Sequence, residues 1–148
     1  MTLRPPVKPM LAQAAESVPG LAAVRGGVAY EQKPDGHRAL LFTPPAAGGG
    51  VLIQTRRGSM VQDRFPDLVA AAADQLPPGL VLDGELLVWD PEAGALSFEA
   101  LQRRAAVRAR GAAGLAAAFP AWSTDGFRRA LPGVTLRRSA GQIPMFGL

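Results

Sequence analysis

The stretch of sequence that decides the fold is LVLDGELLVW at residues 80–89, which follows a Pro-Pro-Gly breaker and precedes a turn at residues 90–94. It is apolar except at Asp83, Gly84 and Glu85, and such a run between turn signals is typical of a buried strand. Two carboxylates inside an apolar strand are costly unless something binds them. An edge strand with both carboxylates in solvent is the weaker alternative, so we expect a site here.

Upstream, the pattern predicts strands at residues 28–33, 37–43 and 51–56. A Pro-Asp-Gly turn separates the first two, which we expect to pair as a hairpin. Pro66 suits the first position of a helix and Asp67 suits its first turn. Apolar residues at helical spacing follow and predict a helix that ends at the Pro-Pro-Gly breaker.

Downstream, Ser97 is placed to cap a second helix over residues 98–110, with Glu99 in its first turn. Residues 111–119 are rich in Ala and Gly and are consistent with helix or loop. Strands followed by helices, without strict alternation, predict an α+β domain with a mainly antiparallel sheet and flanking helices. The length of 148 residues suits one such domain.

The composition excludes several classes of site. The chain has no cysteine and a single histidine, which excludes disulfides, cysteine nucleophiles and multi-histidine metal centres. Residues 1–8 resemble neither a signal peptide nor a membrane span, so we expect a cytoplasmic protein without membrane contact. A net charge of +4 favours an anionic partner, a nucleotide or nucleic acid. Nearly all the cationic residues are arginines, and the only lysines are Lys8 and Lys33.

The first polar cluster is EQKPDGHR at residues 31–38. A desolvated lysine can become a neutral amine nucleophile, whereas arginine keeps its proton, so Lys33 is a candidate nucleophile. Attack on a phosphate also needs an arginine to hold the charged oxygens, and Arg38 follows across the turn. Taken alone, the motif is better explained as a hairpin turn with Lys33 as its solvated shoulder.

Two further clusters lie on the later strands. Residues 55–58, Thr-Arg-Arg-Gly, end the third strand. They are either a basic strand terminus before a turn or the source of one more phosphate-binding arginine, Arg56. The third cluster is the pair Asp83 and Glu85, for which a ribose hydroxyl or a neighbouring cation is a suitable partner.

Together, in this order and spacing, the three clusters resemble ATP-dependent DNA ligases, particularly those of actinobacterial type. Residues 31–38 match motif I of the covalent nucleotidyltransferase superfamily, and residues 55–58 are similar to the Ser-Arg-x-Gly segment that follows it. Residues 82–86 look like motif III. The resemblance covers roughly residues 5–120, and the ordered set is far more specific than motif I alone. Further similar segments are residues 9–12, 65–68 and 98–103.

The resemblance implies a role for each residue of motif I. Lys33 would form the lysyl-AMP phosphoramide with ATP, and Asp35 would support the lysine and the sealing step. Glu31 would contact the adenine edge. RNA ligases and capping enzymes share motif I, but residues 98–103 and the context of Trp89 and Asp90 favour a DNA ligase.

The resemblance also implies a binding set and a substrate. Arg38 and Glu85 would hold the ribose and later the nick phosphate, and Arg56 would bind phosphate. In the family, AMP passes to a 5′-phosphate of nicked double-stranded DNA, and the 3′-hydroxyl displaces it with the help of Mg²⁺. The motifs present here assign no metal ligand.

The similarity ends near residue 121. The family continues with motif IIIa, an aromatic followed by Phe-Asp, whereas this chain reads WSTDGF at residues 122–127. The later Glu-Gly and lysine motifs and the OB-fold domain have no counterpart in this sequence. We therefore expect residues 1–121 to be an incomplete adenylation domain of a truncated or frameshifted ligase, inactive or impaired alone. Residues 122–148 form a divergent tail, expected to be mobile or loosely packed because it lacks periodic apolar residues.

Two alternatives stay open. The chain could be a minimal adenylyltransferase that completes its site by oligomerising. It could also be a non-catalytic module that binds nucleotide or DNA through its basic surface.

Overall fold

A computed structural model of the chain describes residues 3–11, 14–23, 25, 28, 34–45 and 49–123, with the backbone alone for the last two residues. Its centre is a five-stranded sheet in which every pairing is antiparallel. The strands are β1 (His37–Phe42), β2 (Leu52–Thr55), β3 (Val81–Asp90), β4 (Ala95–Leu96) and β5 (Ala121–Ser123). Three α-helices accompany them in the described residues: α1 (Pro66–Gln75), α2 (Phe98–Ala106) and α3 (Ala109–Ala118).

The predicted fold class is confirmed, because an antiparallel sheet with flanking helices is an α+β arrangement. Three of the predicted strands and the helix that begins at Pro66 are present, the strands as β1, β2 and β3. The predicted strand at residues 28–33, and with it the hairpin, falls almost wholly outside the described residues. Strand β3 pairs with β1 along one side and with β5 and β4 at its later residues, so it is not an edge strand.

The alternation of side chains along the strands divides the sheet into two faces. One face carries Ala39, Leu41 and Leu86, which belong to one buried cluster with Leu68 of α1 and Leu101 of α2. Burying these side chains removes apolar surface from water and is the main stabilising contribution here. We call this the core face.

The opposite face of the sheet, which we call the site face, is built from the alternate residues. Its buried members include Leu40 and Leu87, together with the amide side chain of Gln54, none of which belongs to the main cluster. Its charged members include Arg38 on β1 and the two carboxylates of β3. The helices cover the core face and leave the site face to the lead-in segment, residues 3–11.

The predicted helix over residues 98–110 is wrong beyond Ala106. Val107 and Arg108 have extended backbone, with ψ of 147° and 155°, and α3 begins after them. The end of α2 is fixed by tertiary contacts, since Arg64 donates from Nη1 to the carbonyl of Ala105. The Ser97 cap is confirmed, because its Oγ accepts from the N–H of Ala100 at 3.1 Å.

A buried ion pair ties the helices to each other and to the last strand. Arg104, which is fully buried, donates to both carboxylate oxygens of Asp67 at 2.8 and 2.5 Å. It also donates to the carbonyl of Phe119 at 2.9 Å, while its guanidinium lies 4.8 Å from the centroid of the Phe65 ring. Asp67 accepts in addition from the N–H of Ala121. One contact network therefore joins α1, α2, the end of α3 and β5.

No helix in the described part of the chain is long and apolar enough to cross a membrane.

Candidate functional site

The register between β1 and β3 builds the centre of the site. Arg38 lies directly opposite Glu85, and Leu40 lies opposite Asp83. Because side chains opposite each other share a face, Arg38, Asp83 and Glu85 all belong to the site face. The two carboxylates on β3 therefore flank the arginine of β1.

Arg38 is held by a bidentate ion pair and a main-chain acceptor. Its Nε and Nη2 donate to the two carboxylate oxygens of Asp83 at 2.9 and 2.6 Å. Its Nη1 donates to the carbonyl of Met10 at 2.6 Å. The hydrogen bond to Asp83 raises the pKa of the Arg38 guanidinium above its ordinary value, so the group stays charged. Planar, paired hydrogen bonds of this kind fix the orientation of a guanidinium.

Arg56 lies beside this pair at the end of β2. Its backbone N–H donates to the carbonyl of Arg38 at 3.2 Å, and its side chain is exposed. The chain turns immediately afterwards, with a hydrogen bond from the N–H of Gly58 to the carbonyl of Thr55. Gly58 has φ of 92°, a conformation that L side chains rarely adopt, which explains the glycine of this cluster.

Gly36 allows the segment before β1 to approach β3 closely. A Cβ atom at this position would lie 2.5 Å from the carbonyl oxygen of Leu86 and 2.8 Å from a methyl carbon of Leu87. Gly36 does not have a positive φ. Glycine is thus needed here because a side chain at this position would collide with β3.

His37 and Asp35 complete the described part of the first cluster. The His37 ring meets the Phe98 ring edge to face, with centroids 5.4 Å apart. Burial lowers the pKa of His37 below its ordinary value, with the charge of Asp35 acting in the opposite direction. The imidazole is therefore mainly neutral near pH 7. Asp35 itself is exposed, two residues before β1.

The lead-in segment packs across the site face and is anchored by a buried amide. Gln54 is fully buried, and its side chain accepts from the N–H of Val7 at 2.8 Å and donates to the carbonyl of Val7 at 2.6 Å. Pro9 is buried as well, whereas the Met10 side chain is exposed. These contacts bring the Met10 carbonyl to Arg38.

The structure brings together three of the six residues predicted for the site, namely Arg38, Arg56 and Glu85. Asp35 lies at the entry to β1. Lys33 and Glu31 lie outside the described residues, so their roles remain predictions. No group of three or more His, Cys, Asp or Glu side chains within the described ranges is placed to hold a metal ion.

For Asp83 the sequence predicted a partner, a ribose hydroxyl or a neighbouring cation, and the structure shows the cation to be Arg38. Sequence reasoning assigned no role to Gln54 or Met10. The alternation of β3 contained a signal for Asp83, since it lies two residues before Glu85 and therefore on the same face. The contacts of Gln54 and of the Met10 carbonyl join segments distant in the sequence, and no local pattern indicates them.

The region of the chain that is similar to known proteins contains the site residues described above. The family model described as "ATP dependent DNA ligase domain" matches residues 9–123. DNA ligase C2 of Mycolicibacterium smegmatis is 39% identical over 117 residues, which cover 79% of this chain and 30% of that relative. A probable DNA ligase of Streptomyces avermitilis is 36% identical over 132 residues, covering 85% of this chain and 25% of the relative.

An archaeal relative matches as well. The DNA ligase of Pyrobaculum neutrophilum is 38% identical over 102 residues, which cover 67% of this chain and 17% of that protein. The chain therefore spans less than a third of the length of these relatives.

Proposed function

Because the chain belongs to the family of ATP-dependent DNA ligases, we propose that it carries the nucleotide-binding part of an adenylation site in which Lys33 is the nucleophile. Asp35 is proposed to support the lysine, and Glu31 to contact the adenine edge. These roles come from the match of residues 31–38 to motif I.

The register between β1 and β3 is the observation that supports this proposal most strongly. It sets Arg38 opposite Glu85, and the main-chain hydrogen bond from Arg56 to Arg38 adds the third residue beside them. Guanidinium groups bind phosphate oxygens, and a carboxylate accepts hydrogen bonds from ribose hydroxyls. Arg38 and Glu85 are proposed to hold the ribose and later the nick phosphate, and Arg56 to bind phosphate.

The proposed first reaction is nucleophilic substitution at the α-phosphorus of ATP. The neutral amine of Lys33 forms a P–N bond, the bond between the α-phosphorus and the bridging oxygen breaks, and pyrophosphate leaves with that electron pair. The amine releases a proton to solvent. Arginines at the site stabilise the charge that gathers on the phosphate oxygens, which is usually the largest contribution to catalysis of this kind.

Nicked double-stranded DNA is the partner that we propose for the adenylated form. In the family, AMP passes from the lysine to the 5′-phosphate, and the 3′-hydroxyl then displaces AMP. Exposed arginines at the junction of α2 and α3, Arg103, Arg108 and Arg110, support contact with DNA phosphates. Mg²⁺ takes part in this chemistry in the family, but the described residues do not converge on an ion, and we assign no step to it.

The nucleotide site can be tested by measuring AMP binding with calorimetry. Arg38→Ala and Glu85→Gln should each weaken binding by about tenfold, because each removes a charge-assisted hydrogen bond. Glu92→Gln is the matched control, since Glu92 is an exposed carboxylate in the turn after β3, and it should bind AMP like the unmodified chain. AMP binding that survives both site substitutions unchanged would refute the proposed site.

A further inference from the structure

The guanidinium of Arg38 uses only some of its N–H donors within the described residues. A guanidinium has five N–H donors. Three of them are used in the structure, two by the carboxylate of Asp83 and one by the carbonyl of Met10. Within the described part of the chain, two donors remain for a ligand on the site face.

The Met10 carbonyl is a fixed acceptor because the lead-in segment is anchored. The buried amide of Gln54 binds both the N–H and the carbonyl of Val7, three residues earlier. Pro9, next to Met10, is buried and has a restricted φ. The position of the Met10 carbonyl therefore follows from contacts that do not involve Arg38.

Stability alone does not explain the pair of Arg38 and Asp83. Their side chains are 29% and 44% exposed. Ion pairs between solvent-exposed groups contribute little to the free energy of unfolding. A bidentate pair instead restricts the rotation of the guanidinium and so sets the direction of the donors that remain.

We propose that Asp83 is a positioning residue for Arg38 and that, with the Met10 carbonyl, it directs the two remaining donors of Arg38 toward the ribose or phosphate oxygens of a bound nucleotide. Asp83 acts through Arg38 and does not itself touch the nucleotide. This role rests on the proposed function of the site. It adds to that function a requirement for a fixed guanidinium orientation.

The sign of the change in AMP affinity distinguishes the positioning role of Asp83 from the simplest alternative, in which Asp83 only neutralises the charge of Arg38. If Asp83 only neutralised Arg38, removing its negative charge would strengthen the attraction between Arg38 and a phosphate, and AMP would bind more tightly. If Asp83 orients Arg38, its removal lets the guanidinium rotate and AMP binds more weakly. The two roles predict changes of opposite sign.

The experiment is a double-mutant cycle on AMP binding, measured by calorimetry with the full chain. The variants are Asp83→Asn, Arg38→Ala and the double variant, and thermal unfolding checks that each is folded. Asp74→Asn is the matched control, because it removes the same charge from an exposed position on α1. We expect Asp83→Asn to weaken AMP binding by about tenfold when Arg38 is present and to have almost no effect in the Arg38→Ala background.

Each outcome of the double-mutant cycle supports or overturns the positioning role of Asp83. Unchanged or tighter AMP binding by Asp83→Asn would overturn the positioning role while leaving the nucleotide site in place. Equal losses in both backgrounds would also overturn it, since Asp83 would then act independently of Arg38. Absence of AMP binding by the unmodified chain would instead overturn the proposed function, and the role of Asp83 with it.

Discussion

At the scale of single residues, Gly36 shows that glycine can be required for lack of space and not for its backbone angles. In the sequence, Pro-Asp-Gly is a turn signal, and glycine in turns often supplies a positive φ. In the structure Gly36 has no positive φ, and it is confined instead by the carbonyl of Leu86. The need for glycine could be predicted, but the physical reason required the position of β3.

The first prediction concerns this contact. Gly36→Ala places a methyl group 2.5 Å from the carbonyl oxygen of Leu86, which is backbone and cannot easily move. We expect the free energy of unfolding, measured by urea denaturation, to fall by about 1–3 kcal/mol. Gly50→Ala is the control, since a Cβ there meets nothing within 4 Å. Equal effects of the two substitutions would show that the close approach is absent in solution.

The residues proposed to bind the nucleotide could be picked out from the sequence, but the contacts between them could not. Arg38 and Glu85 could be assigned because motifs I and III carry them in recognisable surroundings. The pairing of Arg38 with Asp83 depends on the register of two strands separated by 38 residues, from Phe42 to Val81. Local patterns do not fix that register. The sequence therefore indicated candidate residues for the site but not the contacts between them.

At the scale of elements, Asp67 links helices that the sequence treats separately. Its place in the first turn of α1 suggests only a favourable interaction with the helix dipole. The structure adds a bidentate pair with Arg104 of α2 and a hydrogen bond from the N–H of Ala121. The end of α2 likewise involves a distant part of the chain, because Arg64 donates to the carbonyl of Ala105.

The second prediction compares the two partners of this pair. Asp67→Ala leaves the fully buried guanidinium of Arg104 without its carboxylate and should cost about 3–5 kcal/mol in the free energy of unfolding. Arg104→Met should cost less, because it removes the buried charge and leaves Asp67, whose side chain is 26% exposed, able to reach water. Arg110→Met, at an exposed position on α3, is the control and should change stability little. Urea denaturation measures all three, and a larger loss for Arg104→Met than for Asp67→Ala would contradict the account.

At the scale of the whole molecule, the apolar core and the proposed site lie on opposite faces of the sheet. The helices and the main apolar cluster lie on the core face, whereas the residues proposed to bind the nucleotide lie on the site face, where Arg38 contacts the lead-in segment. Apolar patterns and turn signals predicted β1, β2, β3 and α1, because they report which residues are buried and where the chain turns. They did not predict the short strands β4 and β5. They also could not predict that residues 3–11 cross the site face, since their extended, proline-rich sequence has no period.

The boundary near residue 121 remains a prediction. The family model matches as far as residue 123, and β5 pairs with β3 up to the same residue. Residues 124–148 lie outside the described part of the chain.

The central claim is that Lys33 is the nucleophile of a nucleotide site, and the presence of only two lysines allows a direct test. Adenosine 5′-phosphorimidazolide is a suitable probe because imidazole leaves in place of pyrophosphate, so the reaction does not depend on groups that bind pyrophosphate. Mass spectrometry of tryptic peptides locates the adenylated lysine. Lys8, which is exposed, reports the ordinary reactivity of a solvated amine.

We expect Lys33 to be adenylated at least about tenfold faster than Lys8, because binding of the nucleotide beside Lys33 brings the phosphorus close to its amine. Lys33→Arg should abolish this fast reaction, and Lys8→Arg should leave it unchanged. Adenylation of both lysines at the same rate, or at Lys8 in preference, would contradict the claim.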